Sequence, residues 1–162
     1  MQPLAIAQLL FLLTLANGTP VVARWLLRDR WAWPLDGGVK FVDGRPLLGA
    51  TKTVRGIALA LGITAAAAPL VGVSTAIGLQ LAGAAMLGDL LSSFVKRRLG
   101  LPPSSRAIGL DQIPEALLPA LVCQQALALD AADIVAATAI FFIGEVVLSR
   151  LLYRWRIRER PY

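Results

Sequence analysis

The sequence predicts an all-α, polytopic membrane protein with about five transmembrane helices, its N-terminus outside and its C-terminus cytoplasmic. Three observations carry this. Hydrophobic residues fill 57% of the 162 positions and charged residues only 16%, with a mean hydropathy of +0.67, a balance foreign to a soluble domain. The charges stand in blocks and are not interspersed along amphipathic faces. All sixteen Lys and Arg fall in segments that five crossings would place on one side of the membrane, leaving Asp130 and Asp133 on the other. The expected organisation is a single integral membrane domain over 1–162 in the cell (plasma) membrane. Its spans are roughly 4–22, 56–73, 73–95, 113–129 and 133–153, and its cytoplasmic loops roughly 24–55 and 96–112.

The first span is preceded by no Lys or Arg and followed by Arg24, Arg28 and Arg30, the reverse of a secretory signal. Asn17, Gly18, Thr19 and Pro20 interrupt its cytoplasmic end, which lipid tolerates only where protein or a cavity surrounds them, or where the helix simply ends in a proline kink. The loop that follows carries Trp25, Trp31 and Trp33, suited to the headgroup region, and then glycines, a proline and basic residues from Asp43 to Gly56. A largely irregular, membrane-hugging segment is expected, whose amides and cations could wrap phosphates or serve topology and anionic lipid. The second and third spans form a hairpin around Pro69, Gly72 and Ser74, rich in Gly and Ala that permit close backbone approach and leave room for a homodimer. The fourth span contains Pro114 and Pro119; the last ends in the basic tail Arg154, Arg156, Arg158 and Arg160.

Composition also narrows the chemistry. The chain has no histidine, so the commonest general base and transition-metal ligand are missing, and carboxylates, basic side chains and hard cations remain. Cys123 is the only cysteine, which rules out an internal disulfide. The net charge of +6 is a topology signal: the basic residues are divided among membrane-proximal segments without a nucleic-acid-binding motif, so no nucleic-acid partner is expected.

Asp89 is the residue that most needs a reason, because a carboxylate within an apolar run costs at least ~2.5 kcal/mol unless compensated. On a helix it shares a face with Ser92, Ser93 and Lys96, crowned by Arg97 and Arg98, and Asp111 returns in the next loop. Two carboxylates and several cations suit Mg²⁺ with substrate phosphates. Asp89 could equally form a structural ion pair with Lys96 or a loop arginine. Glu145 either lines the same site or pairs with Arg150 or Arg154.

At these residues the chain resembles the CDP-archaeol synthase family, relatives of the phosphatidate cytidylyltransferases. Four pieces carry the resemblance in order. They are Asn17 to Val21, similar to an Asn-x-x-Pro-Val motif, and Asp43-Gly44-Arg45 with Gly49 and Lys52-Thr53-Val54-Arg55-Gly56. The third runs from Gly88-Asp89 through Ser93 to Lys96-Arg97-Arg98-Leu99-Gly100, and the last is Leu110-Asp111-Gln112. Val54 stands where the family has Trp, and Ile-Pro-Glu follows Gln112 in place of a plainly apolar helix start. The Asp-Gly-x-x-Ala-Arg pattern of CDP-alcohol phosphatidyltransferases fails at Leu47.

The resemblance implies a Mg²⁺-dependent nucleotidyltransferase that joins CTP to a membrane lipid phosphate of the archaeol type, giving CDP-lipid and pyrophosphate. It implies Asp89 and Asp111 on Mg²⁺, Lys96 and Arg97 on phosphate oxygens, and Lys52, Thr53 and Arg55 on the triphosphate or lipid phosphate. Asn17, Asp43 and Arg45 would hold nucleotide, and Ser93 would face substrate. The alternatives are the same reaction on diacyl phosphatidate and a non-catalytic lipid-binding scaffold.

Overall fold

The computed structural model describes residues 1–155 except Ser104 and Arg106, and leaves out the side chains of Arg150, Leu152 and Tyr153. The tail residues Arg156, Arg158 and Arg160 and the Arg150 partner considered for Glu145 therefore lie outside the described residues. Among the described residues five α-helices follow one another: α1 Pro3–Leu27, α2 Val54–Ala67, α3 Thr75–Arg98, α4 Gln112–Val122 and α5 Ala131–Arg154. A single 3₁₀ turn, Ala68–Val71, extends α2. Among the described residues there is no strand, only isolated bridges between Pro34 and Thr53 and between Lys40 and Pro46. The chain is a multi-pass membrane protein in its architecture.

Local chemistry sets the helix starts. Thr53 caps α2 by accepting from the Gly56 amide at 3.1 Å, and Ser74 caps α3 by accepting from Ile77 at 3.3 Å. Proline in the first turn of α1 costs no hydrogen bond there. The expected interruption at Asn17 to Pro20 does not occur, because α1 runs on to Leu27. Pro20 removes one ladder donor, Thr19 turns its hydroxyl back onto the Leu15 carbonyl at 2.6 Å, and Gly56 of α2 lies against the ring: a Cβ there would be 3.3 Å from Pro20 Cβ.

Among the described residues, four helices are long and apolar enough to cross a membrane by length and composition: Pro3–Leu27, Val54–Val71, Thr75–Arg98 and Ala131–Ser149. The expected fifth span, 113–129, is realised differently. Its helix has 11 residues, about 16 Å at ~1.5 Å per residue, against the ~30 Å of a bilayer core. Turns continue it to Leu129, and together they still join the two ends of the bundle. At one end Lys96 meets Asp111. At the other, Gln2 donates to the Ala128 carbonyl at 2.7 Å and its amide to Asp133 at 2.9 Å, while Gln8 donates to Val71 at 2.7 Å.

The interior is a seam of aliphatic and small residues. Leu9, Leu12, Leu13 and Ala16 of α1 meet Ala60 of α2, Leu81 and Ala85 of α3, Ala120 of α4 and Ala137 of α5, all fully buried. Two glycines set the helix spacing. A Cβ at Gly78 would fall 2.5 Å from Ala68 Cβ, and one at Gly88 would fall 2.3 Å from the Pro114 carbonyl oxygen. Close backbone approach of this kind replaces the hydrophobic drive that lipid cannot supply.

Candidate active site

The Gly88 contact places the site. Because α4 backbone lies directly on α3 at Gly88, Glu115 of α4 comes beside Asp89, and the two carboxyl groups are within hydrogen-bonding reach. Two such groups require a shared proton or a cation between them. Lys52 sets a cation on Asp89 itself: its Nζ is 2.5 Å from both oxygens of that carboxylate, with both side chains about four-fifths buried. Burial pulls the Lys52 ammonium towards neutrality, but the charge and hydrogen bond of Asp89, with Glu115 and Asp111 further off, outweigh it and raise its pKa above the ordinary lysine value. Glu145 of α5 is near enough for its charge to act on Glu115.

A second pair stands beside the first. Lys96 Nζ is 2.5 Å from Asp111 Oδ1 and also donates to the Ser105 carbonyl at 3.2 Å, while the other Asp111 oxygen accepts from the Ala107 amide at 3.0 Å. Ser92 ties the two pairs together, its hydroxyl lying 2.9 Å from the Gly88 carbonyl and 2.6 Å from that of Leu110. Ser93 is buried next to it. Arg97 is also buried; it donates to the Pro102 carbonyl at 2.8 Å, and its Nε has no partner among the described residues. Asp89 is thus ion-paired, but with the loop residue Lys52 instead of Lys96 or a loop arginine.

The rest of the loop is fastened to the end of α3. Arg98 pairs with Asp43 at 2.7 Å, donates to the Pro46 carbonyl at 2.5 Å, and lies 4.7 Å and 5.0 Å from the ring centres of Phe41 and Phe94. Arg45 donates to the Arg98 carbonyl at 2.5 Å. Asp43 and Arg45 therefore serve this clip in the structure. Arg55 is directed at the carbonyls of Arg28 and Arg30 beyond the end of α1, and Thr53 is the α2 cap. Asn17, on α1, has a buried Nδ2 with no partner among the described residues.

Of the residues expected from sequence, Asp89, Lys52, Lys96, Arg97, Asp111 and Ser93 come together at one end of α3. Asp43, Arg45 and Arg55 have fastening contacts around it. Two residues were not anticipated. Glu115 carried the same signal as Asp89, an acid inside an apolar run, and was read only as a departure from the family pattern. Asp36 carried none. Its carboxylate accepts from the amides of Gly38 at 3.0 Å, Leu48 at 2.9 Å and Gly49 at 3.1 Å; burial favours the neutral acid slightly, but these amides hold its pKa below the ordinary value.

Alternating carboxylates and ammonium groups at one end of an apolar bundle can bind a polyanion and its counter-cation together. Comparison with known proteins identifies the family. Residues 65–162 match the profile of the CarS-like family, described as CDP-archaeol synthase. The CDP-archaeol synthase of Pyrobaculum arsenaticum is 36% identical over 152 residues, 91% of each chain. That of Thermofilum pendens is 41% identical over 133 residues, 77% of this chain and 64% of the relative. A solved structure of an intramembrane enzyme for archaeal membrane lipids biosynthesis superposes with a TM-score of 0.65 at 28% identity, over 85% of this chain and 90% of that one. With a charged site at one end of a helical membrane bundle and these relatives along most of its length, the chain belongs to the CarS-like CDP-archaeol synthase family.

Proposed function

We infer that the protein is a cytidylyltransferase that moves the cytidylyl group of CTP onto the phosphate of an archaeol-type membrane lipid. The observation that carries this, beyond family membership, is the adjacency of the Lys52–Asp89 and Lys96–Asp111 pairs at one end of an apolar bundle. A lipid phosphate monoester has a second pKa near ~6 and is already nucleophilic at neutral pH, so no histidine base is needed. Its oxygen attacks the α-phosphorus of CTP, a new P–O bond forms, and the bond to the β-phosphate oxygen breaks to release pyrophosphate. Every reacting group is an anion, so the protein's work is in-line positioning and charge neutralisation.

Lys52, Lys96 and Arg97 are suited to the phosphate oxygens, and the unpartnered donors Arg97 Nε and Asn17 Nδ2 to further acceptors on substrate. Thr53 and Ser93 are suited to phosphate contacts beside them, and Asp43, Arg45 and Arg55 support the nucleotide through the loop they fasten. Among the described residues no three acidic or cysteine side chains converge as a closed metal cage. The donor set instead fits a cation that takes one or two carboxylates and completes its shell with phosphates and water, as Mg²⁺ does. Asp89 and Asp111 would hold it, each now paired with a lysine. When bound, Mg²⁺ would neutralise charge on the triphosphate.

The basic end of the bundle supports placing this site at the cytoplasmic face of the plasma membrane with the N-terminus outside. The test is direct. Purified protein is given labelled CTP, Mg²⁺ and a panel of archaeol-type and diacyl lipid phosphates, with Asp89→Asn and Asp111→Asn as controls. CDP-archaeol should form and both variants should lose it. Absence of CDP-lipid with every acceptor would defeat the reading.

A further inference from the structure

We propose that Asp36, which stands outside the reacting cluster, is a positioning residue for the proposed reaction: its carboxylate sets the turn that delivers Lys52 to Asp89. The connection is short and continuous. One oxygen of Asp36 accepts from both the Leu48 and Gly49 amides, at 2.9 and 3.1 Å. The Gly49 carbonyl accepts from the Lys52 amide at 3.2 Å, and the Lys52 carbonyl accepts from Leu35, the neighbour of Asp36, at 2.7 Å. The 48–52 turn is therefore gripped at both ends by two consecutive residues. Gly49 is at φ +99°, where other residues are strained, and a Cβ on it would be 3.3 Å from Arg97 Nη1 and 3.5 Å from Pro103 Cγ. The same clamp thus seats the turn against Arg97.

Among the described residues the hydrogen-bond partners of Asp36 are backbone amides, so its negative charge is used to hold main chain. Truncating it to Ala removes the acceptor from three donors at once and leaves Lys52 on a turn without a fixed base, whereas Asn keeps one carbonyl oxygen and weakens the grip by loss of charge. A displacement of about 1 Å in a positioning group is enough to cost on the order of a hundredfold in rate. The inference rests on the functional reading of Lys52, and its test is arranged so that the two can fail separately.

The chain has three lysines, Lys40, Lys52 and Lys96 by position, so amine labelling followed by peptide mass spectrometry reads each one alone. In Asp36→Ala, Lys52 should label at least about tenfold faster than in the parent while Lys96 does not change, and kcat for CDP-lipid should fall between about tenfold and a hundredfold, with a smaller change in the same direction in Asp36→Asn. Unchanged Lys52 labelling in folded Asp36→Ala would overturn the proposal. Should both variants fail to fold, hydrogen exchange on the parent decides: the Leu48 and Gly49 amides should be protected like those of Leu35 and Lys52, and free exchange there would overturn it. If the parent makes no CDP-lipid, the function assigned above fails, while labelling and exchange still judge Asp36.

Discussion

Lys52 places its ammonium 2.5 Å from both carboxylate oxygens of Asp89, across 37 positions of sequence. This one contact joins the loop between α1 and α2 to the first residue of the polar stripe on α3. It compensates an acid that would otherwise be isolated in an apolar bundle, and it brings a mobile type of cation to the point where a triphosphate would be held. Lys52→Met should abolish measurable CDP-lipid formation. It should also lower stability by about 1–3 kcal/mol, between the values of exposed and fully buried pairs. The double variant Lys52→Met/Asp89→Leu should regain stability but not activity, as read by thermal unfolding in detergent and by product assay.

The approach of α4 to α3 at Gly88 admits no side chain. Gly88→Ala would set a methyl 2.3 Å from the Pro114 carbonyl oxygen and 2.8 Å from the Glu115 amide, so α4 must shift. A loss of about 1–3 kcal/mol is expected, together with loss of activity, because α4 carries Glu115 and follows directly on Asp111. Gly62→Ala is the control: nothing lies within 4 Å of the added methyl, and the melting temperature should hold or rise slightly.

Divalent cation should be required in proportion to the carboxylates left to hold it. Chelation by EDTA should stop the reaction and added Mg²⁺ restore it. Asp111→Asn, if it retains any turnover, should need at least about tenfold more Mg²⁺ for half-maximal rate, since charge on the ligand set governs affinity. An unchanged Mg²⁺ titration would remove Asp111 from the cation site.

The Asp36 clamp carries a definite pH signature. A carboxyl whose pKa is lowered in the folded state stabilises the fold at pH above its unfolded value, near ~3.9, and this contribution is lost as pH falls through the folded pKa. Amide protection at Leu48 and Gly49 should thus be constant from pH 8 down to about 5 and decline only below the ordinary carboxylate range. In Asp36→Asn that acid-dependent change should vanish.

Arg98 holds the loop by charge and by its planar face together. Arg98→Lys keeps the charge but forfeits the contact with Phe41 and Phe94 and the second donor to Pro46. Limited proteolysis should then cut between Trp33 and Lys52 severalfold faster than in the parent, with little effect on cleavage elsewhere. Equal cleavage would show that Asp43 and Arg45 suffice to fasten the segment.

Much of this protein is written locally. Hydropathy and the placement of every Lys and Arg in the same set of segments are one-dimensional properties, and they determined an all-helical membrane bundle with one basic end. Asp89 was legible for the same reason: a carboxylate in an apolar run is anomalous without knowledge of its neighbours. Thr53 and Ser74 act as helix caps through side-chain chemistry within one turn, a local signal that the reading of Thr53 as a substrate contact passes over. What depended on distance through space was not legible. Only packing decides that the 113–129 segment is a short helix continued by turns, that Pro20 sits inside a continuous α1 shielded by Gly56, and that Asp43 and Arg45 fasten a loop to Arg98. Which lysine meets which aspartate is likewise decided by the Gly88–Pro114 approach and the Asp36 turn, because ion pairing is set by the positions of whole helices and loops, and residue type alone leaves several partners equally available.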